Sequence, residues 1–186
     1  TIFIVEPEDI ETVAHTARIA LRMKRMGIPV KVVSADGNGS KLKPHALNNG
    51  LREATGEIVV VYDADDSFPP EQIEEAVNLM MENGYDVLQP KIERARESIV
   101  GKYLMLDTFV WERKFIPAFY RMGGVFPLSG EALFIRRSVL DEVGGFPEVL
   151  TEDAYLAILL AEKRKRFGLL DSTVKELGPK SWSAHS

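Results

Sequence analysis

Apolar positions along this chain alternate between two rhythms. Thr1–Val5 is a short apolar run that reads as a strand. From Glu8 to Met26, Ile10, Val13, Ala14, Ala17, Ala20 and Leu21 recur at the spacing of an amphipathic helix, and Gly27 stands where a left-handed stop belongs. Pro29–Val33 is a second β-branched run. Pro44–Ala54 predicts a helix closed by Gly56, and Glu57–Tyr62 a continuously apolar strand that stops at Asp63. A further helix is expected from about Pro70, well placed in a first turn, to Glu82, with Gly84 behind it and a strand at Tyr85–Leu88. Beyond Leu88 the pattern yields helical stretches only. One is aromatic-rich, from Tyr103 to Tyr120, and one follows Thr151 with Leu156, Leu159 and Leu160.

Strands alternating with helices, several of the strands apolar throughout, predict an α/β layer fold with a mainly parallel sheet flanked by helices. Ligands in such sheets bind beyond the carboxyl ends of strands. The residues just after Val5, Val33 and Tyr62 are therefore the first to inspect. No repeat, linker or low-complexity stretch interrupts the chain, so one domain over 1–186 is expected.

Composition narrows the partners. The 186 residues are 45% hydrophobic and 27% charged, with a net charge of −5. That balance disfavours a nucleic acid polymer, while a single nucleotide needs only a local cluster or a metal. The absence of cysteine removes disulfides and thiolate metal sites. No apolar run approaches the ~18–20 residues of a membrane-spanning helix.

Two clusters carry candidate chemistry. Ile58–Tyr62 runs directly into Asp63-Ala64-Asp65-Asp66-Ser67. Residues two apart in extended backbone point to one side, so Asp63 and Asp65 can converge on one cation. Carboxylate oxygens suit Mg²⁺ or Mn²⁺, which complete their shells with water and substrate phosphates. A solvated loop tip, with Asp66 or Ser67 capping the next helix, would show the same residues. The second cluster runs from Pro127 through Ser129-Gly130-Glu131 to Phe134-Ile135-Arg136-Arg137, then Gly144-Gly145-Phe146 and Thr151-Glu152-Asp153. Thr151 is a natural N-cap, which places Glu152 and Asp153 in a first helical turn. That is ordinary helix chemistry, and it is also where an ionised carboxylate could serve as a general base.

Taken in order, these segments resemble the large family of GT-A-fold inverting glycosyltransferases that includes cellulose, chitin and hyaluronan synthases. Lys43-Pro44-His45-Ala46-Leu47-Asn48 is similar to the family's K-P-x-A-L-N, and Asp63-Ala64-Asp65 to its metal-binding D-x-D. Gly130 to Arg137, Gly144-Gly145-Phe146 and Thr151-Glu152-Asp153 resemble its acceptor-side region and base motif. The resemblance spans about Lys41 to Leu160. It implies a metal-assisted single displacement, with a sugar passing from a UDP-sugar or GDP-sugar to a hydroxyl on a glycan or lipid-linked acceptor. Asp63 and Asp65 would hold Mg²⁺ or Mn²⁺, and Asp153 would be the catalytic base. Lys43, Asp63, Ser129, Gly130, Glu131 and Glu152 would line the donor and sugar pocket. Residues 1–92 would form the donor and metal half, and 93–186 the acceptor half.

The pattern departs from the family at both ends. Aligned on Lys43, the first strand here matches the family's second, so its first strand is expected to be missing. Glu6, Glu8 or Asp9 then stands where an Asp contacts the base or ribose of the nucleoside. Membrane-bound relatives carry Q-x-x-R-W and membrane helices beyond the region where this chain stops. The expectation is a core fragment of a longer enzyme, attached through segments outside this chain to the cytoplasmic face of a membrane. His185 is a candidate for completing the metal shell. The aromatic stretch reads chiefly as core, although Arg113, Lys114 and Arg121 would let one side lie on a membrane surface. Two rival readings remain. One is a haloacid-dehalogenase-like phosphatase with Asp63 as nucleophile, and the other a non-catalytic glycosyltransferase-like module.

Overall fold

The computed structural model describes residues 1–35, 42–94 and 99–176. Strand β1 (Ile2–Val5) pairs in parallel with β2 (Lys31–Ser34), and helix α1 (Ile10–Arg25) connects them. The Asp9 carboxylate caps α1, accepting from the Thr12 N–H at 3.0 Å and from the Thr12 hydroxyl at 2.7 Å. Gly27 leaves the helix at φ 78°, as its position behind the last turn predicts.

Helix α2 (Lys43–Glu53) leads to β3 (Ile58–Tyr62), and α3 (Gln72–Asn83) leads through a left-handed Gly84 into β4 (Val87–Arg94). Next comes a continuous helical arm made of α4 (Ile99–Val110), a π-helical turn (Trp111–Phe115) and α5 (Ile116–Gly123). The last elements are β5 (Ala132–Arg136), α6 (Arg137–Val143), α7 (Glu152–Glu162) and β6 (Phe167–Glu176).

The strand order β3-β5-β4-β6 forms a four-stranded sheet separate from the β1–β2 pair. β5 is antiparallel to both β3 and β4, whereas β4 and β6 are parallel. Three of these strands thus run one way and β5 is reversed between them. The expected α/β architecture with flanking helices is present. Among the described residues no strand pairs with the outer edge of β3. The boundary drawn at residue 92 falls inside β4, whose neighbours β5 and β6 both lie later in the chain.

Both faces of the larger sheet are covered, which is why β3, β5 and the first residues of β4 are apolar without alternation. Val61, Val87, Leu133 and Ile135 face a core completed by Ile116, Phe126, Leu140, Leu156 and Leu160. Leu88, Phe134 and Leu170 face the other way, onto Ala76 and Met80 of α3. β4 runs well past Leu88, where the apolar pattern stops. Pro90 has no N–H for the ladder, and the register against β6 shifts between Pro90 and Lys91. The strand continues through this bulge because its later residues are polar for a reason given below.

One side chain joins the two ends of the site region. The Asn48 amide donates to the Phe146 carbonyl at 2.8 Å and accepts from the Phe146 N–H at 2.8 Å. Gly145, at φ 93°, brings its backbone so close that a Cβ there would lie 2.6 Å from the Asn48 Oδ1. Asn48→Ala leaves both Phe146 backbone groups without their partner, and a loss of about 1–3 kcal/mol is expected in urea denaturation.

Candidate active site

Because β5 is antiparallel to β3, the carboxyl end of β3 lies beside the start of β5. The segment Ser129-Gly130-Glu131 is therefore carried next to Asp63, whose N–H donates to the Glu131 carbonyl at 3.3 Å. The first turn of α7 reaches the same place. Gly130 donates its N–H to the Asp153 Oδ2 at 3.0 Å and offers its carbonyl to the Lys43 Nζ at 2.8 Å. Lys43 Nζ in turn lies 2.5 Å from the Asp63 Oδ1. A Cβ on Gly130 would meet Glu152 Oε1 at 3.3 Å, Asp153 Oδ2 at 3.6 Å and Lys43 Nζ at 3.6 Å. One glycine thus joins the carboxylate after β3 to the carboxylates of α7.

Asp153 is fixed at both oxygens, since its Oδ1 also accepts from the Ala154 N–H at 2.7 Å. A carboxylate has about four lone-pair sites, so two remain for an incoming hydroxyl. Thr151 occupies the N-cap position of α7 but makes no side-chain cap bond. The helix start is held by Asp153 instead, a correction to the capping expected from sequence. Ser129 is held through its N–H, which donates to the Gln89 Oε1 at 2.7 Å. Glu131 is half-buried and ion-paired with Arg94 at 2.6 Å, and Arg94 also holds Glu176 at 2.6 Å. Gln89 and Arg94 explain the polar half of β4, because they brace the loop before β5 from beneath. Neither shows in the sequence as more than a polar residue after an apolar run.

Among the described residues, Glu6 and Asp9 do not join this set. Both are exposed, and the Asp9 carboxylate is committed to capping α1. The structure gives Asp9 a helix-capping role. His185 lies outside the described residues.

Three carboxyls of this region, Asp66, Glu131 and Glu152, are pushed toward their neutral forms. Burial, opposed by the Asp63 N–H but reinforced by Asp63, Asp65 and Glu176, pushes Asp66 up to about 6. Burial also raises Glu152, with Asp153 and Asp63 adding to it and Lys43 opposing. Glu131 is raised by burial and then by Glu176, against the opposing pull of Arg94. On the helical arm, burial pushes Glu112 up to about 7. A carboxyl raised in the folded state binds its proton more tightly there than in the unfolded chain. Its contribution to stability is therefore full below about pH 4 and is lost as pH rises through 6 to 7. Stability in urea is expected to fall across that window, and Glu112→Gln is expected to flatten its upper part.

The oxygen donors suit a hard divalent cation. Asp65 is exposed, Asp63 is half-buried, and Asp66 keeps a buried Oδ1 without a hydrogen-bond partner. Among the described residues no three His, Cys, Asp or Glu side chains gather around one point as an enclosing cage.

These carboxylates are collected at the carboxyl ends of strands, where α/β sheets bind their ligands. A profile of the glycosyl transferase family group 2 matches residues 58–186, the larger part of the chain, and the chain belongs to that family. It is similar to the beta-monoglucosyldiacylglycerol synthase of Synechocystis sp., 28% identical over 84% of this chain and 33% of that protein. It also resembles the probable glycosyltransferase YdaM of Bacillus subtilis, 26% identical over 68% of this chain and 31% of that protein. The chain therefore spans about a third of the length of these relatives.

Two solved structures share the GT-A fold. The mannosyltransferase PcManGT of Pyrobaculum calidifontis, in complex with GDP-Man and Mn²⁺, superposes with a TM-score of 0.68 at 23% identity, over 97% of this chain and 48% of that one. S. aureus TarS 1-349 with UDP-GlcNAc gives 0.64 at 18% identity, over 100% of this chain and 51% of that one. Family membership leaves the phosphatase reading without support.

Proposed function

We propose that this chain is the catalytic core of a metal-assisted, inverting glycosyltransferase that moves a sugar from a nucleotide-diphosphate sugar to an acceptor hydroxyl. The observation that carries the reading is the junction at Gly130, which sets Asp63 on one side and Asp153 on the other. A divalent cation held by Asp63 and Asp65 would neutralise charge on the donor diphosphate. Asp153 accepts the proton of the acceptor hydroxyl as its oxygen attacks the anomeric carbon. The carbon–oxygen bond to the diphosphate breaks, the nucleoside diphosphate leaves with that electron pair, and attack from the opposite face inverts the centre. Gly130 keeps a side chain out of the space between Lys43, Glu152 and Asp153. Glu131, tied to Arg94, fixes the wall that bears Ser129 and Gly130.

The names of the similar proteins support a nucleotide-sugar donor, UDP- or GDP-linked, and a lipid acceptor; a glycan acceptor is the other arm of the proposal. The same reading puts the enzyme at the cytoplasmic face of a membrane, attached by segments outside this chain. Incubation with Mn²⁺ and a panel of UDP- and GDP-sugars tests it. Release of nucleoside diphosphate with formation of an inverted glycosidic product is the expected result. Phosphate release from simple phosphomonoesters, with no sugar dependence, would sink it.

A further inference from the structure

The helical arm buries a narrow stripe and exposes an unusually apolar one. Leu104, Glu112 and Ile116 point inward at 8%, 6% and 1% exposure. The arm exposes Leu106, Phe109, Trp111, Phe115, Phe119 and Met122, with Met122 at 84%. Three of them form an aromatic cluster. Trp111 lies 5.6 Å from Phe115 and 6.3 Å from Phe119, ring centre to ring centre. Trp111, Phe115 and Phe119 recur at spacings of four, the interval at which residues of a helix share one face. Scattered exposed apolar side chains need no explanation, but a continuous aromatic stripe rimmed by charge does.

The rim is basic on a protein whose net charge is −5. Lys102, Arg113, Lys114 and Arg121 are all exposed along the arm, and Arg113 stands 6.0 Å over the Phe109 ring. Of the two acidic residues on the arm, Asp107 is exposed while Glu112 is turned inward and buried. Trp and Phe with flexible cations at their edges match the boundary between acyl chains and anionic headgroups. A second copy of the chain fits this face poorly, since a two-fold pairing would set Arg113, Lys114 and Arg121 against themselves.

We propose that the exposed face of the α4–π–α5 arm is a docking surface for an anionic lipid bilayer. It lies in the interface plane without crossing it, and among the described residues no helix is long and apolar enough to span a membrane. The inference stands on the surface of the arm and does not depend on the donor or metal.

Sedimentation of the chain with vesicles tests it, using phosphatidylcholine alone or mixed with phosphatidylglycerol. A Trp182→Phe background leaves Trp111 as the sole tryptophan reporter. Binding to the mixed vesicles, weakened by added salt, with a blue shift of Trp111 emission, is the expected result. Trp111→Ser with Phe115→Ser abolishes it, and Lys114→Glu with Arg121→Glu lowers it about 10-fold or more. Circular dichroism confirms that the variants are folded. The proposal is overturned if folded protein stays in the supernatant, if neutral vesicles bind it equally well, or if the serine variant still binds. A concentration-dependent dimer abolished by the serine pair would overturn it too, by assigning the face to a second copy.

Discussion

Asp153→Asn is expected to stop sugar transfer while donor binding persists. The change removes the proton acceptor and leaves Asp63, Asp65 and Lys43 in place, so the donor side of the site is untouched. General-base catalysis contributes roughly 10²–10⁴-fold, and the transfer rate should fall by about that factor. Nucleoside diphosphate release in the presence of acceptor measures the loss, and titration with donor alone measures what is retained. The substitution also has a structural side. Asp153 accepts from two backbone N–H groups, those of Gly130 and Ala154, through different oxygens. Asparagine offers only one oxygen, so one N–H loses its partner at a cost of about 1–2 kcal/mol. A melting curve separates that modest loss from the catalytic one. Weakened donor affinity in a folded variant would contradict the role assigned to Asp153.

Asp65→Ala is expected to act on the other half of the reaction. Asp65 is exposed, so its removal should change stability by no more than about 0.5 kcal/mol. Turnover of nucleotide sugar in Mn²⁺ should fall roughly 100-fold or more, because a bound cation contributes several kcal/mol of charge stabilisation at the departing diphosphate. Isothermal titration of Mn²⁺ with the donor nucleotide gives a readout independent of turnover. Asp63→Ala is a poorer test. It also frees Lys43, which holds Asp63 at 2.5 Å and the Gly130 carbonyl at 2.8 Å, so a loss of activity would have two causes.

Much of this site could be read from the chain before its shape was known, and the parts that could not share a physical reason. Lys43, Asp63, Gly130, Glu152 and Asp153 stood in motifs, and the structure brings all five to one place. Strands β1 to β3 and helices α1 to α3 followed the hydrophobic rhythm to within a few residues. β4 was cut short because its second half alternates polar side chains that face the site and passes a proline at a bulge. β5 carried no period of its own, as it is buried on two faces and flanked by motif residues, and β6 mixes apolar with polar residues such as Asp171 and Lys175. Gln89 and Arg94 were invisible for the same reason that they matter. Their partners, Ser129, Glu131 and Glu176, lie far along the chain and meet them only after β5 is reversed. The capping role of Asp9 could not be read from the chain, since a carboxylate before a helix serves a nucleoside or a cap with the same residue.

The open edge of β3 divides its backbone into two kinds of position. Glu57 and Asp63 exchange hydrogen bonds with the β5 side, so by the alternation of an antiparallel ladder Val59 and Val61 do as well. Ile58, Val60 and Tyr62 turn their amides toward the side where no described strand lies, the arrangement on which foreign strands add. Proline at Val60 would therefore remove an amide that binds nothing within the sheet, whereas at Val59 or Val61 it would break the ladder. Pairing of a foreign strand at this edge would be a matter of backbone, and the even-numbered residues of β3 are the positions at which to block it.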